Sequence, residues 1–318
     1  MDSFIFSLNA TVPIFAIMVL GYILHRIGFI TDEFANVANK FVFRVCLPCM
    51  LFLDLKNTDI RHNFDGSYIG FCAGVTIVSV LTIWGLSKIF LKDKTQVGAF
   101  VQASYRSSAA ILGIAFIQNI YGNSGMGPLM IIGAVPLYNV FAVLILTVES
   151  NDVSIQNSKG RIKTTILNII KNPIIIGIVL GILASGIQLK LPQMMEKTIQ
   201  NLGIMASPLA LIAIGAGFEG RKALAKMKPT LAATFIKLIG LAMLVLPIAI
   251  HLGFRDQKLL ALLIMLASPS TPTAYIMAKN MHGDETLSSS IIVLTTVLSS
   301  VTLTGWIFLL RYLGYIAG

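Results

Sequence analysis

Ten apolar runs of about 20 residues each, separated by short polar turns, leave this chain little choice of fold. Hydrocarbon offers no water to backbone N–H and C=O groups, so only helices and closed barrels can span it. The runs are too long and too uniformly apolar for barrel strands of about 9–11 residues. They predict an all-α polytopic membrane protein with spans near 4–25, 34–54, 66–91, 96–119, 126–149, 165–186, 194–217, 229–250, 258–280 and 286–314. Composition agrees. Hydrophobic residues make up 56% of the chain, charged residues only 12% against roughly 25% in a soluble domain, and mean hydropathy is +0.83.

The chain also repeats itself with a shift of about 160 residues. Val12-Pro13-Ile14 and Val19-Leu20-Gly21 return as Asn172-Pro173-Ile174 and Val179-Leu180-Gly181. Pro48 and Leu51 return as Pro208 and Leu211; Ser107, Asn119 and Gly122 return, one residue further out of step, as Ser268, Asn280 and Gly283. With five spans per copy, an odd number, the second copy enters the membrane from the opposite side. That is an inverted-topology repeat, the plan of many secondary transporters. The expected division is residues 1–150 for the first repeat, 151–163 for a polar cytoplasmic linker and 164–318 for the second.

The net charge of +10 bears on orientation. Seven basic residues fall in loops on the side of the termini and thirteen in the opposite loops, which places both termini outside by the positive-inside rule. Charges scattered over short loops do not make a nucleic-acid surface, and no such partner is expected. Met1-Asp2-Ser3-Phe4 lacks a basic n-region, so the first span is expected to be retained. Cys46, Cys49 and Cys72 all lie within predicted spans; Cys46-Leu-Pro-Cys49 spells C-x-x-C without a βαβ context and reads as inert. No Walker A, H-E-x-x-H or G-x-S-x-G pattern occurs, so neither an enzyme nor a cofactor or metal is expected. Gly66, Gly70 and Gly74, and again Gly177 and Gly181, set small residues every fourth position, which favours close helix packing inside the bundle.

The residues able to carry chemistry cluster in two spans. The ninth reads Ala267-Ser268-Pro269-Ser270-Thr271-Pro272-Thr273-Ala274 at its centre. Pro269 and Pro272 remove two backbone donors and clash with the preceding turn, so the helix should break there. Thr271 and Pro272 read as the N-cap and first residue of a new half-helix. The fourth span, its repeat counterpart, reads Ser104-Tyr105-Arg106-Ser107-Ser108-Ala109-Ala110 and then reaches Gly113, a second expected break. Two broken helices at equivalent positions would cross near the midplane and aim the positive ends of their second halves at one site. Arg106 lies near the bilayer centre, where an arginine is costly and functional by default. All fourteen acids fall in loops or helix ends, so no deep carboxylate awaits it. That pattern disfavours a sodium/proton antiporter and suits an anion. Arg106 would hold it, Ser107, Ser108, Ser268, Ser270 and Thr271 would supply hydroxyls or caps, and Asn139 and Tyr275 would be neighbours. Lys237 is a secondary candidate, deep in the eighth span.

These residues resemble the auxin efflux carrier family, which includes plant PIN carriers and bacterial malate and malonate carriers. The pieces that carry the resemblance are Val42-Phe43 with Cys46-Leu47-Pro48 and Leu51-Phe52, Tyr105-Arg106 leading to Gly113, Asn172-Pro173-Ile174, Ser207-Pro208-Leu209-Ala210-Leu211 leading to Gly215, and Met277-Ala278-Lys279 with His282-Gly283-Asp284. The resemblance implies a five-plus-five inverted repeat like that of bile-acid sodium symporters. It further implies a scaffold of spans 1, 2, 6 and 7, a moving unit of spans 3–5 and 8–10, a site where spans 4 and 9 cross, and a homodimer through the scaffold. This chain departs from the pattern at Ser108 and Ala115, where family members often carry Asn and Pro, and has no carboxylate in the third span after Asp65. The expectation is a secondary transporter of a small organic anion, such as malate, malonate or another carboxylate including an auxin-like one. It would work by alternating access in a bacterial cytoplasmic membrane. A sodium-coupled symporter of the bile-acid type is the alternative within transport; a transport-inactive receptor or scaffold is the alternative of another class.

Overall fold

A computed structural model describes residues 2–57, 65–109, 114–121, 126–150 and 161–316. The described residues form helices: α1 (Asp2–Arg26), α2 (Asp32–Lys56), α3 (Gly66–Phe90), α4 (Val97–Tyr105), α5 (Ile114–Tyr121), α6 (Gly127–Val148), α7 (Arg161–Ile170), α8 (Pro173–Gly186), α9 (Gln193–Ala216), α10 (Gly220–Ala225), α11 (Met227–His251), α12 (Asp256–Ala267), α13 (Thr273–Asn280) and α14 (Glu285–Tyr312). Six of these, α2, α3, α6, α9, α11 and α14, are long and apolar enough to cross a membrane. Large apolar side chains such as Val78, Phe90, Leu244 and Phe308 cover the outside of the bundle. In water that would be an aggregation surface; against lipid it is the expected exterior.

Helix ends follow their local chemistry. Thr31 caps α2 by accepting from Phe34 N at 3.2 Å, Asp65 caps α3 by accepting from Tyr68 N at 3.0 Å, and Asp284 caps α14 by accepting from Leu287 N at 2.9 Å. Lys258 at the start of α12 adds an ion pair to Asp65 at 2.5 Å, which holds that carboxyl well below the usual carboxylate range. Inside α2, Pro48 has no N–H to give to the turn before it. The chain absorbs this with a π turn at Val42–Cys46, where Leu47 N reaches back to Val42 O, and the helix continues. The expected sixth span differs from the structure. Asn172 stops α7 and recaps the chain, accepting from Ile174 N at 3.0 Å, so the apolar stretch is α8 alone, beginning with Pro173 at its first turn. Residues 151–160 of the expected linker lie outside the described residues, and the chain is already helical from Arg161.

Two apolar clusters divide the interior. One joins Met18 of α1, Val42 to Leu51 of α2, Ile174 and Ile178 of α8 and Ala206 to Ile214 of α9 with one face of α6 and with α13. The other joins α3, α4, α6, α11, α12 and α14. Glycines set the closest approaches in the first cluster. A Cβ at Gly215 would lie 1.9 Å from Met18 O, and one at Gly21 would lie 2.4 Å from Ile212 O, so α1 and α9 touch backbone to backbone. Gly177 and Gly181 of α8 press likewise on Pro48 and Phe52 of α2, at 2.8 Å and 2.9 Å from their carbonyl oxygens. In lipid, helix association depends on such close van der Waals contact.

The glycine spacing in α3 works otherwise. A Cβ at Gly70 or Gly74 would meet nothing within 4 Å, so these residues do not serve internal packing. Their side of α3 faces away from its neighbours in the chain, whereas α3 meets α6 through Gly133, whose Cβ would lie 2.8 Å from Ile69 O. Gly74→Ala should therefore be tolerated, or raise stability by about 0.5–1 kcal/mol through lower backbone entropy. Gly181→Ala should lower it. Thermal unfolding of the two variants in detergent, with midpoints moving in the same direction, would contradict this packing.

Candidate functional site

Two helices stop inside the bundle and face one another. α4 ends at Tyr105 because Arg106 turns to extended backbone (φ −69°, ψ 138°). α12 ends at Ala267 because Ser268 does the same (φ −74°, ψ 160°). Extended backbone buried among helices must find new partners. Here the two stretches partner each other. Ser107 Oγ lies 2.7 Å from Ser268 Oγ, and Ser108 N donates to Pro269 O at 3.0 Å. Ser107 Oγ also donates to Ile264 O at 3.2 Å, in the last turn of α12. Ser270 N donates to Thr295 Oγ1 of α14 at 3.2 Å, and Ser270 Oγ is buried without a partner. Gly113, expected as part of the α4 break, lies outside the described residues.

The restart after the second break differs slightly from expectation. Pro272 already has helical backbone (φ −54°, ψ −29°), and α13 begins at Thr273 with no side-chain cap. Thr271 is not the N-cap. Its hydroxyl lies 3.1 Å from the Thr273 hydroxyl instead of on a backbone amide.

Arg106 is 2% exposed and sits where α4, α6 and α13 converge. Its Nη2 donates to Asn139 Oδ1 and to Thr273 Oγ1, both at 2.9 Å, and Nη1 faces Met277 Sδ at 2.7 Å. Nε is buried without a partner. Asn139 is itself held by donating Nδ2 to Val135 O at 2.9 Å, so it presents its oxygen to the guanidinium. The carboxyl end of α4 favours a cation at this point. Yet every side-chain partner is neutral, and no carboxylate among the described residues pairs with Arg106. A positive charge is thus carried into the bundle, oriented and left uncompensated. That arrangement can bind an anion. Among the described residues no group of three or more His, Cys, Asp and Glu is placed to hold a metal.

The structure therefore brings Arg106, Ser107, Ser108, Ser268, Pro269, Ser270 and Asn139 to one place, with Thr271 and Pro272 at its edge. Tyr275 is not brought to Arg106. Two residues from Thr273 is about 200° around a helix, and the Tyr275 hydroxyl points to Gly217 at the end of α9. Thr273, Met277, Gln102 and Thr295 were not anticipated. Gln102, one turn before Arg106, donates Nε2 to Ala274 O at 2.8 Å and ties α4 to the start of α13. Its place as a polar residue inside an apolar run was the available signal. Thr295 was one hydroxyl among many in α14, and nothing local distinguished it. Lys237 lies beside this cluster, against the end of α12.

Apolar helices of membrane length, packed around a buried polar junction of two broken helices, define an integral membrane transport protein. A family profile described as "Membrane transport protein" matches residues 6–307. The chain belongs to that family, the auxin efflux carrier family of transporters. It is similar to a Rhizobium meliloti protein named "Putative malonate transporter", with 25% identity over 94% of each chain. An uncharacterized transporter of Methanocaldococcus jannaschii is 21% identical over 95% of this chain and 99% of its own. The mouse lysosomal cholesterol signaling protein is 26% identical over 75% of this chain, which spans only 29% of that longer protein.

Proposed function

We propose that this chain is a secondary carrier that moves a small organic anion, such as malate, malonate or another carboxylate, by alternating access. The observation that carries the reading is Arg106: a guanidinium 2% exposed, held by neutral acceptors, at the junction of two broken helices. The substrate class also accords with the name of the Rhizobium relative. In this reading Arg106 grips the carboxylate, and the amino end of α13 adds its positive dipole.

The architecture proposed with it is a five-plus-five inverted repeat. Ser107 meets Ser268 and Ser108 meets Pro269, each partner 161 residues from the other, as positions on a pseudo-twofold axis should. Gly21 against Ile212 and Gly181 against Phe52 are one contact exchanged between copies, at a shift of 160. The two apolar clusters accord with a scaffold of α1, α2, α8 and α9 and a moving unit of α3–α6 and α11–α14, in which one face of α6, α13 and Ile292 of α14 pack against the scaffold. The basic loops support termini on the outer face of a cytoplasmic membrane.

Uptake of labelled malate, malonate and an aromatic carboxylate into proteoliposomes tests the function. Accumulation of at least one is expected. A carrier moving an uncompensated anion should respond to membrane potential by about 2.3 kcal/mol per charge per 100 mV. With no carboxylate paired to Arg106 among the described residues, a proton gradient should matter little when substrate ionisation is held constant. Flux that follows the pH gradient but ignores an imposed potential would sink this mechanism.

A further inference from the structure

Among the described residues Lys237 is, after Arg106, the second basic side chain sealed inside the bundle, 0% exposed, and the anion site does not use it. Its ammonium donates to Leu266 O at 2.7 Å and reaches Met265 O at 3.4 Å. These carbonyls are the ones orphaned by the break in α12. In a continuing helix Met265 O would accept from residue 269 and Leu266 O from residue 270. Residue 269 is proline and has no N–H, while Ser270 N has gone to Thr295. The Tyr138 hydroxyl also donates to Met265 O, at 3.2 Å. Two bared carbonyls at the negative end of a half-helix make a place for a cation, and carriers with discontinuous helices hold sodium at such ends. Here the backbone of α11 widens into a π turn at Ile236–Gly240 that contains Lys237. Trp306 Nε1 braces that turn by donating to Leu238 O at 3.0 Å. No carboxylate among the described residues pairs with Lys237.

We propose that the carboxyl end of α12 is a monovalent-cation site which this chain fills with its own Lys237 ammonium. The consequence for transport rests on the carrier reading above: the cycle needs no added metal cation, because the chain's own side chain takes the position of a coupling ion. The site itself does not depend on that reading.

The test uses purified full-length protein in detergent at equal ionic strength in sodium, potassium, methylammonium or choline chloride. The wild-type unfolding midpoint should be the same in all four salts. K237A should unfold at a lower temperature in choline and regain roughly 2 °C or more in methylammonium or sodium, which are small enough to enter the vacated space. A K237A midpoint that is equal in all four salts overturns the proposal, as does a wild-type midpoint that rises in sodium over choline. If K237A does not yield folded protein, the wild-type comparison still decides. Malonate uptake by wild type, with sodium replaced by choline on both sides, should be unchanged; loss of uptake there also overturns it. Absence of uptake of any carboxylate would count against the carrier reading alone, since the unfolding measurements need no substrate.

Discussion

Arg106→Gln should weaken carboxylate binding on the order of tenfold to a hundredfold, because a charge-assisted hydrogen bond contributes roughly 1.5–3 kcal/mol. The structure sharpens the reason. Asn139 and Thr273 orient the guanidinium through neutral oxygens, so its charge is not cancelled, and Nε has no partner. Arg106→Lys should recover only part of the affinity, since an ammonium cannot offer the planar fork that a carboxylate accepts in a bidentate manner. Affinity must be read on folded, monodisperse protein. If Arg106 only joined α4 to α6 and α13, its loss would lower the yield of folded molecules and leave those that remain binding normally. Unchanged affinity in folded Arg106→Gln would remove Arg106 from the site and leave the amino end of α13 as the anion determinant.

Gly215→Val should be the most destabilising single change outside that site. A Cβ there would sit 1.9 Å from Met18 O and 2.9 Å from Tyr22 N. Both are backbone atoms of α1, so no rotamer change relieves the clash and the two helices must separate. The neighbouring contact at Gly21, 2.4 Å from Ile212 O, opens with them. Lipid supplies no hydrophobic drive to close the gap again. The cost should reach the upper range of overpacking, about 3 kcal/mol or more. Unfolding midpoint and monodisperse fraction in detergent measure it, with Gly74→Val as the control for β-branching in a helix. A wild-type midpoint for Gly215→Val would mean that α1 and α9 do not pack in this way.

Much of the fold is legible because its causes are local. A run of about 20 apolar residues in lipid has helix as its remaining option, and Pro269 and Pro272 remove amides wherever the surrounding helices lie. Arg106 stands out by depth alone. Other features resist such a reading. Apolarity all round a helix erases the periodic stripe that would show which face packs, so the spacing of Gly70 and Gly74 looks the same as that of Gly177 and Gly181 although only the latter pair meets a neighbour. The π turn at Ile236–Gly240 inserts one residue into a turn without any change in composition that marks it, and the one at Val42–Cys46 is hinted at by Pro48 alone. The end of α7 at Ile170 is hidden inside a longer apolar stretch, because Asn172-Pro173 reads as a repeat marker as well as a cap.

By itself, then, the amino-acid sequence determined a helical membrane protein, the interruption before Thr273 and the isolation of Arg106 from every acid near it in the chain. These depend on hydropathy, missing amides and charge counts, which act on neighbouring residues. The tertiary structure alone decided that Ser107 meets Ser268, that Asn139, Thr273 and Met277 surround Arg106 while Tyr275 turns away, and that Lys237 reaches the two carbonyls bared where α12 breaks. Those meetings join positions 28 to 171 residues apart. They arise because buried backbone and charge accept whichever partner the packed helices carry to them, and no local rule states which one that will be.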